Sequence, residues 1–377
     1  LSLAGARVAI LASIAWPAPP PGYGPWEQIA YDIAEGMHRR GLDVTLFATG
    51  NSRSSGKLAS VVPVGLNEDS ALNADIYTAL HASAPFERAA DFDLIHNNFD
   101  WKPLLYALAT NAPPMLTTIH GFSSPPVLAA YYHAAHRSFF CSISDADRDP
   151  GLSYLGTAYN GIDPHQFTFV SSPGDYLAFL GRWHPEKGAH VAIEIAKRAG
   201  IRLKMAAIPQ DERYFAERIA PHVDGDQIQN LGPVERPARD QLLRGALALV
   251  HMNTRPERFG LTMIEAMACG TPVLASRLGS TLEIVEDGKT GFLCDSALDA
   301  AGRVGDLARL SRRACRERVE QMFTVDRMVD RYCELYEQVL TLRTPPPPTA
   351  SQKAARSHDW WDRPQAFTDI PPKPRGR

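Results

Sequence analysis

The chain has 377 residues, 45% hydrophobic and 21% charged, which fits about two globular domains and excludes a largely disordered chain. Its 39 Lys and Arg against 42 Asp and Glu leave a formal charge of -3, so no overall field draws it to nucleic acid. The five cysteines (Cys141, Cys269, Cys294, Cys315 and Cys333) are scattered, odd in number and without a C-x-x-C pair, and are expected as reduced thiols in a cytoplasmic protein.

The start, LSLAGARVAILASIAWPAP, puts Arg7 before an apolar run and so has the outline of a signal peptide. A buried first strand over residues 8–13 is the better reading, because a helix and a second strand follow at once, in the order of a parallel α/β sheet. No run reaches the ~18–20 apolar residues of a membrane span. Strands are predicted at RVAILAS, DVTLFAT, FDLIHN, MLTTIH and FFCSIS, with a helix over residues 26–40 that carries Ile29, Ile33 and Met37 on one face. At YNGIDPHQFTFVSSPGDY the pattern dissolves into turn residues and then restarts with YLAFLG. LKMAAI, IQNLG, LALVHM, PVLAS and GFLC repeat the alternation, so the class is α/β, with two similar halves facing each other across a cleft. The expected division is residues 1–160, residues 161–342, and a Pro-rich tail over 343–377. The tail reads as disordered or peripherally docked, with a solvated tail favoured and Trp360 and Trp361 as the residues that could anchor it to a partner or to the body of the protein.

Three stretches carry chemistry. In PPGYGPWE, Gly22 and Gly24 permit close approach at a helix N-terminus, where backbone N–H groups bind anions. Glu27 stands where a dinucleotide fingerprint needs its third glycine, so a tight turn with Pro25 at the first helical position remains equally open. In GRWHPEKG, Arg182 and Lys187 leave a strand on a loop that opens a helix, a place from which two cations could neutralise a diphosphate. In RPERFGLTMIE, Glu257 and Glu265 flank a helix start at Gly260, Leu261 and Thr262. Were both helical, ~1.5 Å per residue would separate them by roughly 12 Å, wider than the ~5–9.5 Å of a glycosidase pair. That spacing suits the two ends of a nucleotide-sugar, with the free N–H groups of the helix start facing its diphosphate.

Other signals are weaker. Asp145 and Asp147 have the D-x-D spacing of a metal site, but Ser144 and Asp145 are better read as the N-cap of a helix following the fifth strand. His133 and His136 lack a third ligand and are expected on a helix surface. No phosphate loop of the G-x-x-x-x-G-K-[ST] type and no G-x-S-x-G elbow occurs, which removes the main support for kinase and serine-hydrolase readings. Basic residues at Arg39, Arg40, Lys197, Arg198, Arg202 and Lys204 face solvent by default, and peripheral contact with anionic lipid at the inner face of a membrane stays open.

ERFGLTMIE resembles the E-x7-E motif of family-4 retaining glycosyltransferases, and GRWHPEKG is similar to their basic Arg-x4-Lys motif. The similarity runs from RVAIL through YNGID to GTPVLASRLGSTLEIVEDGKTGFL and ends before the tail. It implies a GT-B architecture of two Rossmann-like domains, with the nucleotide-sugar donor held mainly by the second. It implies no metal requirement and no cofactor, the nucleotide-sugar being a substrate. Carried over by position, Glu265 binds the donor ribose, Glu257 sits by the transferred sugar, and Arg182 and Lys187 stabilise the leaving diphosphate. His120 in TIHG lies beside the reacting sugar, Gly24 lies near the phosphates, and Phe259, Gly260, Leu261 and Thr262 belong to the donor site. Pro25 departs from the family's paired glycines and has no N–H to offer, so Trp26 and Glu27 are instead expected on the acceptor side. UDP is the favoured nucleotide, with GDP and ADP open. A hydroxyl acceptor is expected near HNNFDW and GFSSPP, and nothing in the sequence fixes its identity or the oligomeric state. A nucleotide-sugar epimerase or hydrolase, and a non-catalytic nucleotide-sugar binder, are the alternatives on the same scaffold.

Overall fold

The run Arg7–Leu11 forms β1, and every residue after Arg7 is buried, as a strand covered on both faces requires. The computed structural model describes residues 3–121 and 126–356. Phe122 to Pro125 of the GFSSPP loop, and Trp360 and Trp361, therefore lie outside the described residues. The first sheet continues with β2 (Asp43–Phe47), β3 (Lys57–Ala59), β4 (Leu94–Asn97), β5 (Met115–Ile119), β6 (Ser138–Ser142) and β7 (Tyr154–Thr157). Its seven strands lie in the order β3-β2-β1-β4-β5-β6-β7, and all pairs are parallel.

The second sheet contains β8 (Tyr176–Trp183), β9 (Arg202–Pro209), β10 (Ile228–Gly232), β11 (Ala248–His251), β12 (Val273–Ser276) and β13 (Gly291–Cys294). Its six parallel strands run β10-β9-β8-β11-β12-β13. In both sheets the strand order reverses beside the first strand, and ligands of open α/β sheets bind at such reversals, beyond the carboxyl ends of the strands. His120, which follows β5, and Arg182, near the end of β8, both stand at those ends.

The chain crosses from one half to the other at Ile162 and returns beside it, where Ile162 N donates to Phe323 O (2.9 Å) and Val325 N donates to Ile162 O (3.1 Å). The returning helix Val325–Leu342 buries Met328, Val329, Tyr332, Leu335, Tyr336 and Val339 in the core that also holds Val8, Ile10 and Met37. Its Tyr336 hydroxyl lies 2.7 Å from His96 Nδ1, and its Tyr332 hydroxyl lies 3.1 Å from Thr118 Oγ1. His96 Nε2 in turn lies 2.8 Å from Thr118 Oγ1, and burial pushes His96 down to about 3, so its contacts with Tyr336 and Thr118 are made by a neutral imidazole.

One expectation fails at the level of secondary structure, and the tail is docked in part. Ser144 and Asp145 do not cap a helix: residues 143–152 form turns and bends, and Asp145 lies in a segment docked against the second half. Part of the tail is ordered, because residues Ala350–Arg356 form a helix whose Gln352 bonds Ser153 Oγ (2.9 Å) and the Leu152 carbonyl (3.4 Å). The cysteines are free, four of them buried. Among the described residues no helix is long and apolar enough to cross a membrane, and no group of three or more His, Cys, Asp or Glu could hold a metal ion.

Candidate active site

Glu257 lies on the loop after β11, fixed to the backbone at Gly279 rather than in a helix. Its Oε2 accepts from Asn253 Nδ2 (2.6 Å), Lys187 Nζ (2.7 Å) and His251 Nε2 (3.1 Å), and its Oε1 accepts from the Arg258 backbone N–H (3.0 Å). Burial works against its ionisation, but the donated hydrogen bond and charge of His251, with Lys187, prevail and hold the carboxyl well below the usual range. His251 and Asn253 were not singled out in the sequence, although their place at the end of β11 was the available signal.

Lys187 closes a 3-10 turn, Pro185–Lys187, and is placed by the residue after it. Gly188 has φ of +71°, and a Cβ there would lie 2.0 Å from the Met252 carbonyl oxygen. Only glycine fits that approach, which brings the Lys187 turn against the loop carrying Asn253 and Glu257. Thr254 N completes the join by donating to Glu186 O at 3.0 Å. An ammonium has three donors, so Lys187 keeps capacity for a ligand beyond its bond to Glu257. Arg182 is only partly exposed, and among the described residues its guanidinium has no hydrogen-bond or ion-pair partner. A half-buried guanidinium without a partner is poised for an anion.

Glu265 sits in the helix Leu261–Ala268, which opens at Gly260 in the left-handed conformation. The first-turn N–H groups of Leu261 and Thr262 have no acceptor among the described residues, as expected of a helix N-terminus left open to a ligand. Glu265 Oε1 is 3.3 Å from Arg239 Nη1, while Oε2 is buried with no hydrogen-bond partner. Burial raises the Glu265 carboxyl, against the opposing charges of Arg239 and Arg236. Glu257 and Glu265 thus differ sharply: one carboxylate is saturated with donors, and the other keeps an oxygen for a donor not yet supplied.

Phe259 does not face the cleft. Its side chain is 2% exposed and packs with Phe323 and Tyr159, ring centroids 6.0 and 6.2 Å away, so its role is to anchor the loop from the core side. Leu261 likewise packs against both principal cores, leaving its amide rather than its side chain to a ligand.

From the first half, His120 Nε2 lies 3.1 Å from Asn98 Oδ1, an acceptor, so Nε2 carries the hydrogen and Nδ1 is the bare nitrogen. Burial lowers the imidazole to about 4, which leaves it neutral near pH 7. The Trp26 ring stands 6.0 Å from it, and Asn98 Nδ2 is buried without a partner. Gly24 is the N-cap of the helix Pro25–Arg39, with Pro25 at its first position. Glu27 is buried and accepts from Trp16 N at 3.3 Å, so it braces this loop rather than facing an acceptor.

Two family models fall on this frame one after the other: Glycosyltransferase Family 4 matches residues 27–150, and Glycosyl transferases group 1 matches residues 165–320. The chain belongs to the family-4 glycosyltransferases. Among the relatives of this family-4 chain, a phosphatidyl-myo-inositol mannosyltransferase of Mycobacterium tuberculosis is 27% identical over 236 residues, 54% of this chain and 59% of the relative. The match therefore spans little more than half the length of that relative. An O-antigen chain mannosyltransferase C of Escherichia coli is 24% identical over 372 residues, covering 85% of this chain and 96% of the relative. The GT-B fold is shared with Anabaena HepE, solved in complex with UDP and glucose (TM-score 0.69, 19% identity, 88% of this chain and 100% of the other). It is also shared with AviGT4, a glycosyltransferase involved in avilamycin A biosynthesis (TM-score 0.67, 24% identity, 90% and 100%).

Proposed function

We propose that this family-4 chain transfers a hexose-like sugar from a nucleoside diphosphate donor, UDP-linked by preference, to a hydroxyl acceptor with retention of anomeric configuration. The observation that carries the donor reading is Glu265 Oε2, a buried carboxylate oxygen with no partner. Leaving such an atom unsatisfied costs about 1–3 kcal/mol, and vicinal ribose hydroxyls supply the missing donor. The Arg182 guanidinium, the remaining donors of Lys187 and the amides of Leu261 and Thr262 suit the diphosphate, so the protein itself answers the leaving-group charge without a metal. UDP is preferred because HepE, on the same fold, was solved with UDP and with UDP-glucose.

In the reaction the bond from the anomeric carbon to the diphosphate oxygen breaks, and a bond to the acceptor oxygen forms on the same face. The acceptor proton passes to the departing diphosphate. Positive charge develops on the sugar, within reach of the Glu257 carboxylate, and the neutral His120 lines the same space with its bare Nδ1. Trp26, beside His120, is the aromatic wall of the acceptor side. The anomeric proton coupling of the product, read by NMR, tests retention. An inverted product contradicts the mechanism, and activity abolished by a chelator contradicts metal independence.

A further inference from the structure

The segment after β6 is bonded to the donor half by consecutive residues. Ser144 Oγ donates to the Arg258 carbonyl at 2.6 Å. The N–H groups of Asp145 and Ala146 donate to the two carboxylate oxygens of Glu283 at 2.9 and 2.8 Å, and Tyr159 holds the same carboxylate from the side at 2.8 Å. Asp147 Oδ1 then accepts from Arg258 Nη1 at 2.9 Å, with the aspartate side chain 11% exposed. Burial pushes the Asp147 carboxyl up to about 6 against the pull of Arg258, and Asp147 Oδ2 is buried without a partner.

Arg258 has the position that gives this join its meaning. It follows Glu257, whose carboxylate takes the Arg258 backbone N–H, and its side chain lies across Gly121, the neighbour of His120. A Cβ on Gly121 would come 2.0 Å from Arg258 Cδ, and φ there is +119°, so glycine alone lets the arginine pass. Behind Arg258 the loop is pinned by Ser280, whose N donates to Glu257 O and whose Oγ donates to Phe259 O, both at 2.9 Å. The backbone around Glu257 is therefore fixed within its own domain, and Arg258 meets the other half twice, through its carbonyl on Ser144 and through its side chain on Asp147.

We infer that Arg258 and Asp147 form a clasp across the cleft that sets the register of Glu257 against His120, and that both are positioning residues for sugar transfer. The inference rests on the transfer reading above for its catalytic consequence, whereas the clasp itself is a statement about the two halves of the molecule. A one-ångström misplacement of reacting groups costs about 10²-fold in rate, so a clasp that holds them carries a rate effect without touching the substrate. The donor groups Arg182, Lys187 and Glu265 all lie in the second half, so donor affinity is left largely intact when the clasp is cut.

The test uses the full chain with a fluorophore pair, one dye on each half, and the variants Arg258→Ala, Arg258→Lys, Asp147→Asn and the double variant Arg258→Ala/Asp147→Asn. The expected result is a longer or broader interdomain distance in Arg258→Ala, at least about a tenfold fall in kcat, and nucleotide-sugar affinity within about threefold of wild type. Arg258→Lys recovers part of both effects, and the double variant is no worse than Arg258→Ala alone, because the two side chains act as one unit. An unchanged interdomain distance in Arg258→Ala, or effects that simply add in the double variant, overturns the clasp. Failure of every nucleotide-sugar to bind the wild type instead overturns the transfer reading, and the ligand-free distances still decide the clasp.

Discussion

Replacing Lys187 with alanine removes one of three side-chain donors from a buried carboxylate, and its consequences for folding and for rate are separable. Lys187 Nζ stands 2.7 Å from Glu257 Oε2, with side-chain exposures of 25% and 10%. Breaking a fully buried pair from one side costs ~3–5 kcal/mol. Partial exposure of Lys187 and the donors that remain, His251 and Asn253, reduce the expected loss of stability to about 1–2 kcal/mol. Losing a positive charge at the leaving group costs ~3–4 kcal/mol in the transition state, or about 10²–10³-fold in kcat. The pH dependence has a definite sign. The Glu257 carboxyl is held below its ordinary value of 4.5 by His251 and Lys187 against burial, with the Asp147 charge also nearby. Its contribution to stability is therefore present above about pH 4.5 and is lost as the pH falls toward its folded value. The gap in Tm between wild type and Lys187→Ala should be widest near neutral pH and should narrow on acidification below about pH 4.5. Melting curves across that range and steady-state turnover at pH 7 check both parts. Near-normal kcat, or a gap that widens in acid, refutes the reasoning.

Two other substitutions address other parts of the site. Gly188→Ala forces a Cβ to 2.0 Å from the Met252 carbonyl at a left-handed φ of +71°. It should cost about 1–3 kcal/mol in denaturant unfolding and lower kcat further by displacing Lys187, and an unchanged midpoint would show that the loop relaxes freely. Trp26→Ala removes a ring 42% exposed and 6.0 Å from His120, and should raise the acceptor KM while leaving nucleotide-sugar affinity as it was; an unchanged acceptor KM removes Trp26 from the acceptor side.

Most of the scaffold was legible because parallel strands covered on both faces must be continuous apolar runs, as VAIL in β1 and ALV in β11 are. The edge strand Lys57–Ala59 and the outer strand Tyr154–Thr157 escaped notice because they are only three and four residues long and not fully buried. Glu257, Glu265, Arg182 and Lys187 were singled out as candidates from spacing and position. Their environments were not legible: that one carboxylate is saturated and the other half-empty depends on His251, Asn253 and Arg239, which no local pattern connects to them. Asp147 shows the limit most clearly. Local sequence suggested a metal pair with Asp145, whereas its partner is Arg258, 111 residues away.

Thermal stability of the wild type and of Glu265→Ala against UDP-, GDP-, ADP- and TDP-sugars tests the central claim most directly, because a ligand held at 100 times its Kd stabilises the folded state by about 2.7 kcal/mol. The account predicts that one nucleotide series, UDP by preference, raises the wild-type Tm and that the rise is lost in Glu265→Ala. No rise with any nucleotide-sugar, or an equal rise in both proteins, would contradict it.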